Sequence, residues 1–146
     1  MIELRRAIPA DAAAIAEVFL DSFHATYDFP LAHSDDEVRA WIRDRVVARM
    51  ETWVADDGGH VVAMMVVKPG WIEQLYVAQD RLGAGIGSRL VDLAKAGSPE
   101  GLTLWTFQVN ARARRFYERH GFVAVETTDG QANEEHQPDV RYEWRR

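Results

Sequence analysis

Apolar positions along this chain follow two periods, and each change of period marks an element boundary. Ile2 and Leu4 alternate with polar neighbours as in a short strand, stopped by Pro9, which also suits the opening turn of a helix that Asp11 supports. Ile15, Val18, Phe19, Ser22 and Phe23 then recur at helical spacing, one buried stripe that ends near Tyr27. After a loop at Asp28-Phe29-Pro30-Leu31, Ser34-Asp35-Asp36-Glu37 has the form of a capping box, in which the serine oxygen and the glutamate satisfy orphan amides. Val38, Trp41, Ile42, Arg45 and Val46 make the stripe of this second helix, and the pattern weakens after Arg49.

The period then shortens to two. Thr52 to Ala55 and Val61 to Val67 are β-branched and apolar runs, and Asp56-Asp57-Gly58-Gly59 between them suits a hairpin turn. Pro69-Gly70 turns the chain again into a strand from Trp71 to Val77, followed by a glycine-rich loop. A third helix is predicted from Ile86 to Ala96, broken by Gly97-Ser98-Pro99, and a short buried strand from Leu102 to Phe107. A fourth helix covers Ala111 to His120, with Gly121 where a left-handed C-terminal residue is wanted. Phe122 to Thr127 and Val140 to Trp144 close the chain as strands around a polar loop from Thr128 to Asp139. The order βααβββαβαββ mixes antiparallel and β-α-β connections, which predicts one α+β (α/β) domain over residues 1–146 around a mixed sheet.

Composition narrows the functional classes. At 146 residues, 47% hydrophobic and 27% charged, the chain has globular make-up and a core of ordinary size. Its net charge of −6 argues against a sequence-independent grip on nucleic acid or anionic membrane, so small molecules or protein groups are the expected partners. With no cysteine there is no thiol nucleophile, disulfide framework or thiolate metal site, and the five histidines lack close ligand spacing, so no metal is expected. No apolar segment has secretory or membrane-spanning length, which places the protein in the cytoplasm as an expectation. The charge is uneven: residues 1–80 hold 14 acids and 7 bases, residues 81–146 hold 9 acids and 10 bases.

Two segments carry chemistry. Leu82-Gly83-Ala84-Gly85-Ile86-Gly87-Ser88 follows a strand and opens a helix, where glycines admit a close ligand and free amides at the positive helix end favour a phosphate or pyrophosphate. It is neither a nucleotide P-loop, since Gly-Lys-Ser/Thr is missing, nor a Rossmann fingerprint. The second segment is Asn110-Ala111-Arg112-Ala113-Arg114-Arg115-Phe116-Tyr117-Glu118-Arg119-His120-Gly121-Phe122. With the glycine loop it resembles the Gcn5-related N-acetyltransferase superfamily: Asn110, Ala113, Phe116, Tyr117, Gly121 and Phe122 match its Asn-x-x-Ala-x-x-Phe/Leu-Tyr-x-x-x-Gly-Phe signature. Gly83, Gly85, Ile86 and Gly87 match the core of the family's loop, which usually begins with Arg or Gln where this chain has Leu82, with Arg81 one residue earlier.

That resemblance implies a GNAT-like, mainly antiparallel central sheet flanked by helices, and acetyl-coenzyme A as co-substrate. The pyrophosphate would lie on amides of Leu82, Gly83, Ala84, Gly85, Gly87 and Ser88, and the pantetheine arm beside backbone near Leu75 and Val77, with Asn110 and Phe116 contributing. An amine, either a small molecule or a protein amino group, would attack the thioester directly while Tyr117 protonates the leaving sulfur. The acceptor pocket falls to the early helices and the late loop, and family habit implies a homodimer. Glu73 is the tentative base, on the face of Leu75 if the strand is regular; its alternative is a strand carboxylate paired with an arginine. Glu134, Glu135 and His136 are rivals for the base, Tyr27, His24 and His33 rank low as pocket residues, and Arg112, Arg115 and Arg119 share a helix face that either solvates or meets a phosphate. The alternative to an enzyme is a non-catalytic acyl-coenzyme A-binding module, against which the retained Tyr117 argues.

Overall fold

The computed structural model describes residues 1–146. Seven strands form one sheet in the order β1-β2-β3-β4-β5-β7-β6: β1 Ile2–Arg6, β2 Glu51–Asp57, β3 His60–Lys68, β4 Trp71–Val77, β5 Leu102–Phe107, β6 Val123–Thr128 and β7 Asp139–Trp144. Four helices accompany it: α1 Ala12–Thr26, α2 Asp35–Trp41 continued by a π turn Ile42–Val47, α3 Ile86–Ala96 and α4 Ala111–Arg119. The element order and the α+β class agree with the pattern of the sequence, and every strand pairing except β4 with β5 is antiparallel.

The helices divide between the faces. α1 and α2 pack Ile15, Phe19, Val38, Ile42 and Val46 against Val54, Met64 and Val66. On the other face α3 and α4 bury Leu90, Val91 and Tyr117 against Met65, Leu104 and Tyr142. β3 lies between the two cores, so Val61 to Val66 are buried without a break, as a strand covered on both faces should be. Arg45, assigned to the α2 stripe by spacing, is exposed. In the wider π turn the residue three positions after Ile42 falls farther from its face than in an α-helix. The β2–β3 turn is also tighter than the four polar residues suggest: Gly58 and Gly59, both at positive φ, make it alone, while Asp56 and Asp57 extend β2.

Two irregularities in the sheet make the site. β4 and β5 pair only at Trp71 and Thr103, held by the Thr103 amide donating to the Gly70 carbonyl at 2.8 Å. Beyond that point their facing edges have no partner strand, and a cleft opens between them. Within β4 the register against β3 steps from Gln74 opposite Val66 to Ile72 opposite Val67, leaving Glu73 as the extra residue of a β-bulge.

Candidate active site

A cleft of about 1460 Å³ opens where β4 and β5 part, larger than the roughly 300–1,000 Å³ of a pocket for one small ligand. At one end lies the start of α3. Gly83 and Gly85 take φ of +79° and +84°, a left-handed conformation that strains any side-chain-bearing residue. The first bond of α3 runs from the Arg89 amide to the Gly85 carbonyl at 3.1 Å, so the amides of Ile86, Gly87 and Ser88 have no intrahelical acceptor. Gly87 also permits close packing, because a Cβ there would come within 3.2 Å of the Phe116 ring; its absence lets α3 and α4 touch. Arg112, Arg115 and Arg119 line this end, exposed and without a carboxylate partner, whereas Arg81 is held by Asp57 at 2.6 Å. Leu82 is exposed. The Ser88 hydroxyl lies 3.0 Å from Nε2 of His120, whose imidazole is pushed down first by burial and then by Lys95.

Tyr117 stands at the middle of the cleft. α4 begins at Asn110, whose Oδ1 accepts the Ala113 amide at 3.0 Å, and this cap fixes the helix that carries Tyr117 inward. The ring is buried against Phe116, Phe122 and Tyr142, while its hydroxyl lines the cleft and is not sealed in without a partner. Burial first, and then the neighbouring Tyr27, push the phenol well above its ordinary value. It therefore stays protonated through the physiological range, as a proton donor must. Leu75 and Val77 pack toward the α3–α4 core from β4, and the Val77 carbonyl accepts from the buried Ser22 hydroxyl at 3.0 Å.

The other end is aromatic and acidic. Rings of Phe23, Tyr27, Phe29 and Phe107 pack with centroids 4.8–5.8 Å apart, and Phe19 packs on Tyr76 at 4.7 Å. The Tyr27 hydroxyl accepts from Asn110 Nδ2 at 2.8 Å, so both polar atoms of Asn110 are committed within the chain. Tyr27, ranked low on sequence position, is thus a principal wall of the cleft; its partner lies 83 residues away, beyond any local signal. Phe107 and Tyr76, which spacing marks only as strand residues, complete that wall.

The carboxylates are distributed differently from expectation. Glu73 does not share the face of Leu75: the bulge gives that face to Ile72, which packs in the α3–α4 core. Glu73 sits at the rim with its Oε1 2.7 Å from Lys68 Nζ, a strand ion pair as the alternative reading held, with lysine in place of arginine. Glu37, Glu134, Glu135 and Asp139 also line this end. Glu134 meets His33 at 2.8 Å and Glu135 accepts the Ala32 amide at 3.1 Å, bridging the late loop to the α1–α2 turn. His136 has no such contact and is exposed, and His24 pairs instead with Asp35 on the surface. No three histidines or carboxylates gather closely enough to hold a metal ion, and no helix is long and apolar enough to cross a membrane.

An open helix start beside unpaired arginines, a buried phenol and an acidic far end is an arrangement for moving a group between an anionic donor and a second molecule. Comparison with known proteins agrees. The acetyltransferase (GNAT) domain model matches residues 48–124, which hold the splayed strands, the glycine loop and Tyr117. The peptidyl-lysine N-acetyltransferase YiaC of Escherichia coli is 27% identical over 124 residues, covering 84% of this chain and 84% of that protein. The solution structure of apo-form YjaB from Escherichia coli shares the fold with a TM-score of 0.82 at 24% identity, covering 99% of this chain and 97% of that one. The PaiA N-acetyltransferase of Thermoplasma acidophilum, solved in complex with coenzyme A, superposes with a TM-score of 0.75 at 20% identity over 100% of this chain and 99% of its own. With its family model spanning the cleft itself, the chain belongs to the acetyltransferase (GNAT) domain family and is an acyltransferase.

Proposed function

We propose that residues 1–146 act as one N-acetyltransferase domain that moves an acetyl group from acetyl-coenzyme A to a primary amine by direct attack. The observation that carries this reading is the convergence, on one cleft, of the acceptor-free amides at the start of α3 and the Tyr117 hydroxyl. The pyrophosphate suits the Ile86, Gly87 and Ser88 amides, with Arg112, Arg115 and Arg119 supplying positive field, and the two left-handed glycines keep the approach clear of side chains. Leu82 in place of the family's Arg or Gln removes a side-chain contact there and leaves the amide grip.

The pantetheine arm suits the unpaired edge of β4 beside Leu75 and Val77, with its thioester toward Tyr117. The side chain of Asn110 is engaged with Tyr27 and the α4 cap, so its part is to hold the two walls of the cleft together. In the reaction the amine forms a C–N bond to the thioester carbon, the C–S bond breaks, and Tyr117 protonates the departing thiolate. An alkylammonium of ordinary pKa about 10.4 must first lose a proton, so a cleft carboxylate is needed. Glu73 is one candidate, ion-paired at the rim. The relatives named peptidyl-lysine N-acetyltransferases favour a lysine side chain as acceptor, and the acidic far end suits a cation. The test is release of free coenzyme A thiol from acetyl-coenzyme A in the presence of a lysine peptide, with the acetylated peptide identified by mass. Thiol release without peptide acetylation would contradict the reading.

A further inference from the structure

The late loop, polar and featureless in the sequence, is a built element. Asn133 sits at its centre: Nδ2 donates to the Gln137 carbonyl at 2.7 Å and to Asp139 Oδ2 at 3.0 Å, while Oδ1 accepts the Gln137 amide at 3.2 Å. Gly130, at positive φ, passes so close to Gln137 that a Cβ there would collide with its backbone. His136 is the one non-glycine residue with positive φ, at 53°. Such a knot holds Glu134 and Glu135, between Asn133 and His136, in fixed positions at the acceptor end of the cleft. The chain uses this strap to span the opening, through Glu134 to His33 and Glu135 to the Ala32 amide.

The five cleft carboxylates are not equivalent. Glu37 accepts the Ser34 amide as half of the α2 capping box. Asp139 has one oxygen on the Thr128 hydroxyl and the other on Asn133. Glu134 is occupied by His33 and Glu73 by Lys68. Glu135 lines the cleft without an ion-pair partner and with one oxygen free: Oε2 takes the Ala32 amide and Oε1 is uncommitted. It lines the same cleft as Tyr76 and Tyr117.

We infer that Glu135 is the carboxylate that receives the acceptor ammonium and takes its proton, and that the strap over residues 129–138 exists to hold it there. The inference rests on the acetyl-transfer reading above. An incoming R–NH3⁺ pairs with Oε1 and gives it one proton. The freed nitrogen lone pair forms the C–N bond, and the electron pair of the breaking C–S bond leaves on sulfur, which Tyr117 protonates. The second nitrogen proton restores the Tyr117 phenol, and Glu135 returns its proton to water. The titratable groups that line the cleft with Glu135 include His33 and Glu37 from the α1–α2 side, Glu134 from the strap, and the phenols of Tyr27, Tyr76 and Tyr117.

Glu135→Gln separates charge from structure, because the amide oxygen still accepts the Ala32 amide. With Nα-acetyl-lysine methylamide as acceptor, kcat/KM near neutral pH should fall by about 10²-fold or more, while acetyl-coenzyme A affinity by calorimetry stays unchanged. The pH profile should also change form, rising with the free-amine fraction toward the amine's own pKa of about 10.4 rather than levelling off earlier. Glu134→Gln and Glu73→Gln should change kcat/KM only a few-fold. A wild-type rate and profile in Glu135→Gln, with the loss appearing in Glu73→Gln, would overturn the inference while leaving acetyl transfer intact. Binding gives an independent readout: n-butylammonium should shift the Ala32 amide resonance in the wild type and not in Glu135→Gln. An equal shift in both, or none in the wild type, would also overturn it.

Discussion

The two ends of the cleft are built on opposite principles. The α3 end uses backbone: consecutive residues from Gly83 to Ser88, two left-handed glycines and a helix start whose amides point outward without help from distant side chains. The far end uses side chains brought together across the chain: Tyr27 with Asn110, Ala32 with Glu135, and His33 with Glu134, pairs 83 to 103 residues apart. A backbone site recognises what every user of one donor shares, such as a pyrophosphate. A side-chain site is tuned residue by residue, which suits the partner that differs from one acetyltransferase to another. Tyr117 stands between them, so the ends should respond differently to substitution.

The largest effect is expected at the border. In the proposed reaction Tyr117→Phe deletes the proton donor and little volume, so kcat should fall by about 10²- to 10⁴-fold in steady-state assays while coenzyme A affinity is preserved. Because burial holds this phenol well above its ordinary value, turnover of the wild type should not decline through its ionisation as pH rises from neutral into the alkaline range. If the variant turns over like wild type, Tyr117 is a packing residue.

At the backbone end, Gly85→Val places a β-branched residue at φ +84°, although no neighbouring atom obstructs its Cβ. The strain of about 1–3 kcal/mol, met by distorting the loop, should weaken coenzyme A binding by roughly ten- to a hundredfold in calorimetry. Unchanged affinity would remove the loop from the pyrophosphate site. Asn110→Ala comes next, since it deletes the α4 cap and the donor to Tyr27 together. Chemical denaturation should show a loss of about 1 kcal/mol, and the acceptor KM should rise, whereas Tyr27→Phe should reproduce only the second effect. The smallest effect belongs to the strap's outer contact. His33→Ala removes an exposed pair, so the melting temperature should hardly move and the acceptor KM should rise only a few-fold.

The contrast between the ends also explains what is legible in the chain. The helix from Ile86 to Ala96 and the strand from Leu102 to Phe107 carry their limits in local glycine, proline and apolar spacing, and the structure places both as expected. The Ser34–Glu37 capping box forms as written, with bonds of 3.0 and 3.2 Å. Strand alternation misplaces Glu73 because a bulge is a property of two strands in register, and β4 alone shows no sign of its slip against β3. The strap is invisible for a similar reason: Gly130, Asn133 and Asp139 look like ordinary loop residues until they are seen bonded to one another. Dividing charge by halves of the chain also blurs the site, since the acidic end draws Glu37 and Glu73 from the first half and Glu134, Glu135 and Asp139 from the second.

In the proposed reaction one cleft joins a backbone end that takes an anion to a side-chain end that takes a cation. The most direct measurement of this is kcat/KM for matched cationic, neutral and anionic primary amines with acetyl-coenzyme A, at low and at moderate salt. The cationic amine should be the best acceptor, with an advantage that shrinks as added salt shortens the screening length toward about 8 Å. A preference for the anionic amine, or a cationic advantage indifferent to salt, would contradict this arrangement.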